Sequence, residues 1–179
     1  MSHQLFRFFV VFLVVVEPIS LIPVFVGLTE TATRAERART ARRAVLISAM
    51  ILTLFAVAGG PLLRILSISL DAFRIFGGLL LFLIALEMVF ARSPGERTST
   101  PEEAESRSRA DVSVFPLAFP FIAGPGALAT ILLAFAPTTD HPLLFAGLLC
   151  CVFAVLAITL GVLHVAPGAM RVLGVTGQD

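Results

Sequence analysis

The 179-residue sequence contains no lysine, no tryptophan and no tyrosine, and only 14% of its residues are charged. Soluble globular domains carry about 25% charged residues, so this deficit is typical of a chain that is not surrounded by water. The missing Trp and Tyr also remove the aromatic belt that many membrane proteins place at the lipid interface. The net charge is only +1. That balance predicts no nucleic-acid partner, because binding to a phosphate backbone needs a clear excess of cations.

Residues that carry enzymatic or metal chemistry are also scarce. Cys150 and Cys151 are adjacent in an apolar run, where two thiols make no metal site and are best interpreted as small apolar filler. The three histidines, His3, His141 and His164, are isolated from one another in the sequence. Motifs such as HExxH, GxSxG or the phosphate-binding P-loop are absent from the sequence. We therefore predict that the chain is not an enzyme and holds no metal and no cofactor.

Long apolar runs are what the sequence has in abundance. Hydrophobic residues make up 58% of the chain, and its mean hydropathy is +0.98. A helix that crosses a bilayer needs ~20 mostly apolar residues. Five runs meet that length, over residues 5–28, 44–63, 70–91, 112–136 and 143–166. They are apolar on nearly all sides and lack the alternation of a strand, which predicts an all-α, polytopic transmembrane helix bundle in contact with membrane lipid.

A cleaved signal peptide is the alternative interpretation of the first run. The region before the run is barely cationic, with only Arg7, and the apolar run is interrupted by Glu17-Pro18 and continues well beyond it. Signal peptides have a more cationic start and a shorter apolar core. We therefore interpret the first run as a retained span.

The connections between the runs differ sharply in arginine content. Residues 30–43 contain five arginines and residues 92–111 contain four, whereas 64–69 contain one and 137–142 contain none. Arginine-rich loops stay on the cytoplasmic side, which predicts an outside N-terminus and a cytoplasmic C-terminus for this chain. The Ser-, Thr-, Glu-, Arg- and Pro-rich composition of 92–111 predicts a flexible cytoplasmic linker.

An internal repeat is suggested by the interruptions in the first and fourth runs. Alignment of Pro18 with Pro125, an offset of 107 residues, carries the second run onto the fifth and the third beyond the end of the chain. We predict a 3+3 inverted repeat in which residues 1–91 are the first unit, 92–111 the linker and 112–179 an incomplete second unit. The last helix of the second unit would then be absent or truncated. Such inverted repeats are recurrent in transporters.

Prolines and glycines near the middle of the first and fourth runs predict two broken helices, because proline removes a backbone hydrogen bond and clashes with the preceding turn. Two breaks in corresponding positions of two repeats indicate a binding site at the membrane midplane. The alternative is a pair of packing kinks filled by neighbouring helices. The candidate substrate-binding residues are Glu17, Pro18, Ser20, Pro23, Gly124, Pro125, Gly126, Ala127 and Thr130.

Ionisable residues within the runs are candidates for gating or coupling. A carboxylate such as Glu17 at bilayer depth costs roughly 2.5–3.5 kcal/mol, so it must be protonated, paired or in a wet cavity. A carrier coupled to H+ or Na+ can use each of these states, whereas the structural alternative is a hydrogen bond to its own broken helix. Glu87 is either a gate or an anchor, and Arg74 either a gate or the structural partner of Asp71, three residues away on one helix face.

Short motifs spread over nearly the whole chain carry a family resemblance. They are Arg42-Arg43-Ala44, residues 69–75, residues 77–88, residues 115–118 and residues 122–126. These stretches resemble the MarC family of integral membrane proteins. The resemblance implies a bacterial or archaeal inner-membrane protein with six helices in two inverted halves. Two departures stand out, since Glu17 replaces the asparagine of the family's Asn-Pro motif and Ser20 replaces the glycine that follows.

The resemblance also implies a function, because family members are described as transporters of small neutral amino acids. The leading hypothesis is a secondary transporter of such amino acids, or similar small zwitterions, by alternating access at the two broken helices. The alternative is a non-transporting membrane scaffold or partner subunit that uses the face left by the missing helix. Homo-oligomers are compatible with either hypothesis.

Overall fold

The computed structural model describes residues 2–89, 112–138 and 141–172. They form seven helical segments and one short 3-10 turn, with no β-strand among the described residues: α1 (Ser2–Val16), α2 (Leu21–Leu28), α3 (Arg34–Ile65), α4 (Leu70–Val89), α5 (Ser113–Ile122), α6 (Pro125–Phe135), the turn (Ala136–Thr138) and α7 (Pro142–Val172). The linker predicted over 92–111 lies outside the described residues, as do residues 173–179.

Two of these helices, α3 and α7, are long and apolar enough to cross a membrane alone. The pair α1 and α2 is bent by 44° at its break, and the second pair, α5 followed by α6, is bent by 55°. If each bent pair forms one span, the described residues contain four. An all-helical membrane protein is therefore confirmed, whereas the predicted count of five spans is not. Helix α4 occupies the predicted third span but is not among these candidates.

The starts of α3, α6 and α7 follow from local sequence. Thr33 and Glu36 form a capping box at the start of α3, in which the Glu36 N–H donates to Thr33 Oγ1 at 3.3 Å and the Thr33 N–H donates to Glu36 Oε2 at 2.8 Å. Pro125 and Pro142 are the first residues of α6 and α7. Proline suits that position because its missing N–H would have no partner there.

Arg37 closes the turn between α2 and α3. Its Nε donates to the Thr29 carbonyl and its Nη2 donates to the Glu30 carbonyl, both at 2.9 Å. The Thr29 hydroxyl in turn donates to the Phe25 carbonyl at 2.7 Å. Carbonyls that end a helix lack intrahelical partners, and a cation there also complements the helix dipole. One arginine thus fixes the angle at which the chain leaves the bent first pair.

The core of the described residues is built around α3 and α7. Helix α3 packs against α5, α6 and α7, and α7 also packs against α1 and α2. A series of phenylalanine rings joins three of these helices: the centroids of Phe8 and Phe12 are 5.5 Å apart, those of Phe8 and Phe135 6.0 Å, and those of Phe135 and Phe145 5.0 Å. The Phe8 and Phe12 rings are stacked and the other two pairs meet edge-on, and both arrangements add to the burial of apolar area.

Glycines allow close contact between neighbouring helices. A Cβ placed on Gly77 of α4 would lie 3.2 Å from Leu133 and 3.7 Å from Ala129 of α6, and one placed on Gly59 of α3 would overlap Leu132. Without a hydrophobic driving force between helices in lipid, close backbone approach is a main source of association. Helix α6 is therefore held between α3 and α4 along two glycine contacts.

The bounds of α3 and the end of α2, shifted by 107 residues, fall on or next to those of α7 and α6. Helix α3 spans Arg34–Ile65, which the offset carries to 141–172, and α7 spans Pro142–Val172. The end of α2 at Leu28 is carried to residue 135, where α6 ends. In both places a broken pair is followed by a long helix. The two related units and the inverted orientation of the second one remain predictions.

The Arg37 contacts generate a stability prediction. Arg37→Lys keeps the charge but loses the planar fork that reaches two carbonyls, so we expect a loss of about 1–2 kcal/mol in unfolding free energy. Thermal unfolding in detergent measures it. Arg39→Lys is the matched control on the same exposed end of the helix, and equal effects of the two variants would contradict the assigned role of Arg37.

Candidate functional site

The first break centres on Glu17. Proline at position 18 has no N–H to donate to the Val14 carbonyl, so α1 ends at Val16. Glu17 itself adopts φ 49°, a left-handed conformation that costs a non-glycine residue roughly 1–2 kcal/mol. The Glu17 N–H still donates to the Leu13 carbonyl, and the Ser20 N–H donates to the Glu17 carbonyl, both at 3.1 Å. The chain therefore bends by 44° between α1 and α2 while these two N–H groups at the break stay hydrogen-bonded.

The exposure of the first-break residues separates them into two sets. Pro18 is buried and Glu17 is half-buried, whereas Ser20 and Pro23 are exposed. Among the described residues the structure shows no hydrogen bond to the Glu17 carboxylate. The predicted alternative, a carboxylate that bonds to its own broken helix, is thus not seen within the described part of the chain.

The second break leaves two backbone donors at the start of α6. Gly124 is the N-cap in an extended conformation, Pro125 follows as the first helical residue, and the Leu128 N–H donates to the Gly124 carbonyl at 3.0 Å. The N–H groups of Gly126 and Ala127 come before any intrahelical acceptor, and both residues are buried. Unpaired N–H groups at a helix N-terminus carry partial positive charge and suit an anion such as a carboxylate.

Thr130 lies one turn further along α6 and is buried. Its hydroxyl donates to the Gly126 carbonyl at 2.8 Å. The hydroxyl proton is therefore used within the helix, and Thr130 can offer a ligand only its oxygen lone pairs. Pro125, by contrast, is exposed, so the second break also divides into buried and exposed residues.

The segment before the second break is irregular. Helix α5 has a wide, π-type coil with extended backbone at Phe115 and Phe119, each of which precedes a cis peptide bond to proline. The Ala123 N–H donates to the carbonyl of Ala118, five residues earlier, at 2.8 Å. Non-helical backbone at membrane depth is tolerated only where it is buried in protein or lines a wet cavity. Much of α5 is buried against α3, in agreement with that rule.

Ser48 of α3 is a site residue that sequence reasoning missed. Its buried hydroxyl lies 2.9 Å from the Ala44 carbonyl and 3.3 Å from the Ala118 carbonyl, 70 residues away in the chain. The one hydroxyl proton can serve either acceptor, so Ser48 joins α3 to the irregular α5. A serine in an otherwise apolar run was the only sequence signal.

The two breaks are flanked by one continuous core. Val16 and Leu21 on either side of the first break belong to the same buried cluster as Ile122, Ala123 and Ala127 at the second. Helix α1 also packs against α6 directly. The bends therefore occur within one packed body and are not separate kinks on unrelated surfaces.

The candidate gates are placed differently. Arg74 Nη1 donates to Asp71 Oδ1 at 2.8 Å at the start of α4, and both side chains are exposed. This matches the structural ion pair that the sequence spacing suggested. Glu87 lies in α4, but its side chain is not described, so its gating role remains a prediction. Among the described residues no three His, Cys, Asp or Glu side chains form a group that could hold a metal ion.

Two open cavities lie at the C-terminal end of α3, and none of the predicted site residues lines either one. The first has a volume of about 310 Å³ and is lined by Gly60, Leu63, Arg64, Ile68, Leu70, Ala136 and Pro137. The second has a volume of about 260 Å³ and is lined by Ala56, Val57, Gly60, Pro61, Phe135, Thr138, Pro142 and Phe145. They share Gly60, and they form at the end of α3 that the arginine distribution predicts to face outside.

The bent helix pairs and the shared core place this chain in the class of helical membrane proteins with several spans, two of them interrupted. Comparison with protein-family models then identifies the family: the model described as MarC family integral membrane protein matches residues 2–179. The chain belongs to the MarC family.

Curated relatives carry the same family assignment. The chain is 34% identical over 173 residues to UPF0056 membrane protein YhcE of Escherichia coli, and the aligned region covers 96% of this chain and 80% of that protein. It is 39% identical over 125 residues to UPF0056 membrane protein YvbG of Bacillus subtilis, covering 69% of this chain and 59% of the relative. A UPF0056 membrane protein of Aquifex aeolicus is 32% identical over 171 residues, covering 94% and 78%. No solved structure matches the chain.

Gly124 provides a test of the second break. A Cβ on Gly124 would overlap the Pro120 carbonyl oxygen, a backbone atom that cannot move independently of the break. We expect Gly124→Ala to destabilise the protein by about 1–3 kcal/mol through overpacking.

The control for that prediction is Gly161→Ala in α7, where a Cβ meets no atom within 4 Å. Replacement of an open helical glycine by alanine is expected to be neutral or stabilising by up to about 1 kcal/mol. Thermal unfolding of both variants in detergent measures the difference, and an equally tolerated Gly124→Ala would show that the break has room to adjust.

Glu17 provides a test of the first break. Asparagine tolerates the left-handed conformation far better than glutamate or glutamine. Glu17→Asn should therefore raise the unfolding free energy by about 1 kcal/mol relative to Glu17→Gln, which removes the same charge without easing the backbone. Thermal melting of the two variants side by side makes the comparison, and a glutamine variant as stable as the asparagine variant would contradict the backbone explanation.

Proposed function

We propose that the protein is a secondary transporter of small neutral amino acids, or similar small zwitterions, with its substrate site between the two broken spans. The observation that carries the proposal is the pair of bends, 44° between α1 and α2 and 55° between α5 and α6, each followed by a long helix. Discontinuous helices in paired positions are a recurrent way to build a midplane substrate site. Membership of a family of membrane proteins is consistent with this role.

The carboxylate of the substrate would bind at the start of α6. The Gly126 and Ala127 N–H groups are the first donors of that helix, and they point along an axis with a positive N-terminal dipole. Both residues are small, so a carboxylate can approach the backbone closely. Gly124 and Ala123 beside them are also buried, which limits competition from water.

The ammonium group of the substrate, or a coupling ion, would be served by Glu17. Its carboxylate is half-buried at the first break and accepts no hydrogen bond from the described residues. A carboxylate at bilayer depth costs roughly 2.5–3.5 kcal/mol, and a cation bound in the same site would offset part of that cost. Binding of H+ or Na+ at Glu17 when the substrate is absent would couple the movement of that ion to the movement of the substrate.

Uptake of labelled alanine into proteoliposomes tests this function. The intact protein is expected to give saturable uptake that an imposed proton or sodium gradient increases. Glu17→Gln should lower uptake at least tenfold, equivalent to about 1.4 kcal/mol of lost binding or coupling. Glu30→Gln, which removes an exposed carboxylate in the turn between α2 and α3, is the matched control and should transport normally.

The possible outcomes separate the parts of the proposal. Equal flux through the intact protein and Glu17→Gln would remove Glu17 from the mechanism while leaving the transporter in place. A lack of specific flux for every amino acid tested, with no thermal stabilisation by any of them, would reject the transporter, because a ligand that binds the folded state must raise stability.

A non-transporting partner subunit is the second candidate function, and the outer face of α4 favours it. Helix α4 packs mainly on α6. It exposes large apolar side chains on its other sides, among them Ile75 at 75%, Phe76 at 60% and Phe82 at 59%. Such a face contacts either lipid or another membrane helix, and it would be the interaction surface if no flux is found.

A further inference from the structure

Helix α3 exposes a continuous row of side chains along one face, basic near the start of the helix and apolar further along. The row is formed by residues three or four apart, which places them on one face of the helix: Arg39, Arg42, Leu46, Met50, Leu54 and Val57. The two arginines are exposed, and the exposed fractions of the apolar members are 68% for Leu46, 67% for Met50, 61% for Leu54 and 59% for Val57. We call these six residues the α3 stripe.

The dimensions of the α3 stripe match one leaflet of a bilayer. The apolar part, from Leu46 to Val57, rises ~16 Å along the helix axis at 1.5 Å per residue. Half of a hydrocarbon core ~30 Å thick is ~15 Å. With the apolar part in one leaflet, Arg39 and Arg42 reach the level of the lipid phosphates.

Two ionisable side chains near those arginines, Arg37 and Glu36, already have hydrogen-bond partners within the chain. Arg37 is occupied by the Thr29 and Glu30 carbonyls, and it lies on the buried side of α3. The nearby acid, Glu36, accepts hydrogen bonds from the Thr33 N–H at 2.8 Å and the Thr33 hydroxyl at 2.7 Å, which hold its carboxylate at the helix cap. From there the carboxylate also attracts the Arg39 guanidinium, so it neutralises part of the charge that Arg39 offers to an anion. Arg43, also exposed at this level, has an interaction of its own within the chain.

We propose that the α3 stripe is a binding site for an anionic glycerophospholipid. The phosphate would bind between Arg39 and Arg42, whose guanidinium groups match phosphate oxygens in geometry and charge. One acyl chain would lie along Leu46, Met50 and Leu54. Charge complementarity identifies the occupant, because a zwitterionic lipid would gain the same apolar contact but less from the two cations. The site is separate from the broken spans and does not depend on the transport proposal.

Thermal unfolding in a neutral detergent supplemented with defined lipids tests the site. Phosphatidylglycerol is expected to bind at least fivefold more tightly than phosphatidylcholine of the same chain length, seen as a melting temperature about 2–4 °C higher. The Arg39→Gln/Arg42→Gln double variant should lose this difference. Arg7→Gln, which removes an exposed arginine from α1, is the matched control and should keep it.

A measurement on the unaltered chain guards against a variant that fails to fold. The preference for phosphatidylglycerol should fall in 1 M salt, where charges are screened within ~3 Å. Equal shifts with both lipids in low salt would overturn the proposal, as would a double variant that folds and keeps the full preference. Stabilisation by inorganic phosphate alone to the same extent would also overturn it, because the apolar part of the stripe would then contribute nothing.

Discussion

Every backbone N–H and C=O group at membrane depth has to find its partner inside the protein, because hydrocarbon offers none. Helices meet that requirement automatically, and so the prolines at positions 18, 116, 120 and 125 create the main structural problem of this chain. The solution is to place both interruptions in the packed interior around α3 and α7. The bends, the wide coil of α5 and the free donors of α6 all follow from that constraint.

Buried hydroxyl groups are satisfied in the same way. Thr29, Thr130 and Thr159 each donate to the carbonyl four residues earlier in their own helix or at its end, and Ser48 can donate to either the Ala44 or the Ala118 carbonyl. No buried side-chain nitrogen or oxygen among the described residues lacks a hydrogen-bond partner. At the breaks, the Glu17 carboxylate and the Gly126 and Ala127 N–H groups have no hydrogen-bond partner among the described residues. These groups, and not the buried hydroxyls, therefore make the breaks the candidate site.

Much of the fold could be predicted from the sequence because the relevant signals are local. Apolar length predicted the helices, although the described residues contain at most four of the five predicted spans, and proline with glycine predicted both breaks. The offset between Pro18 and Pro125 predicted helix bounds that agree at the ends of α6 and α7. The candidate site was predictable as a list of residues but not as a geometry. Ser20, Pro23 and Pro125 are exposed while Pro18, Gly124 and Gly126 are buried, and which side of a turn faces the core depends on the packing of other helices.

The sequence by itself determined that this protein lies in a membrane, where its helices break and to which family it belongs. These three properties follow from composition, proline chemistry and motif. Only the tertiary structure decided that Ser48 reaches a carbonyl 70 residues away, that α6 is held between α3 and α4 at Gly59 and Gly77, and that open cavities form beside Gly60. The physical reason is that helix crossings in lipid are set by close packing between surfaces far apart in the chain. No local pattern of residues encodes which surfaces meet.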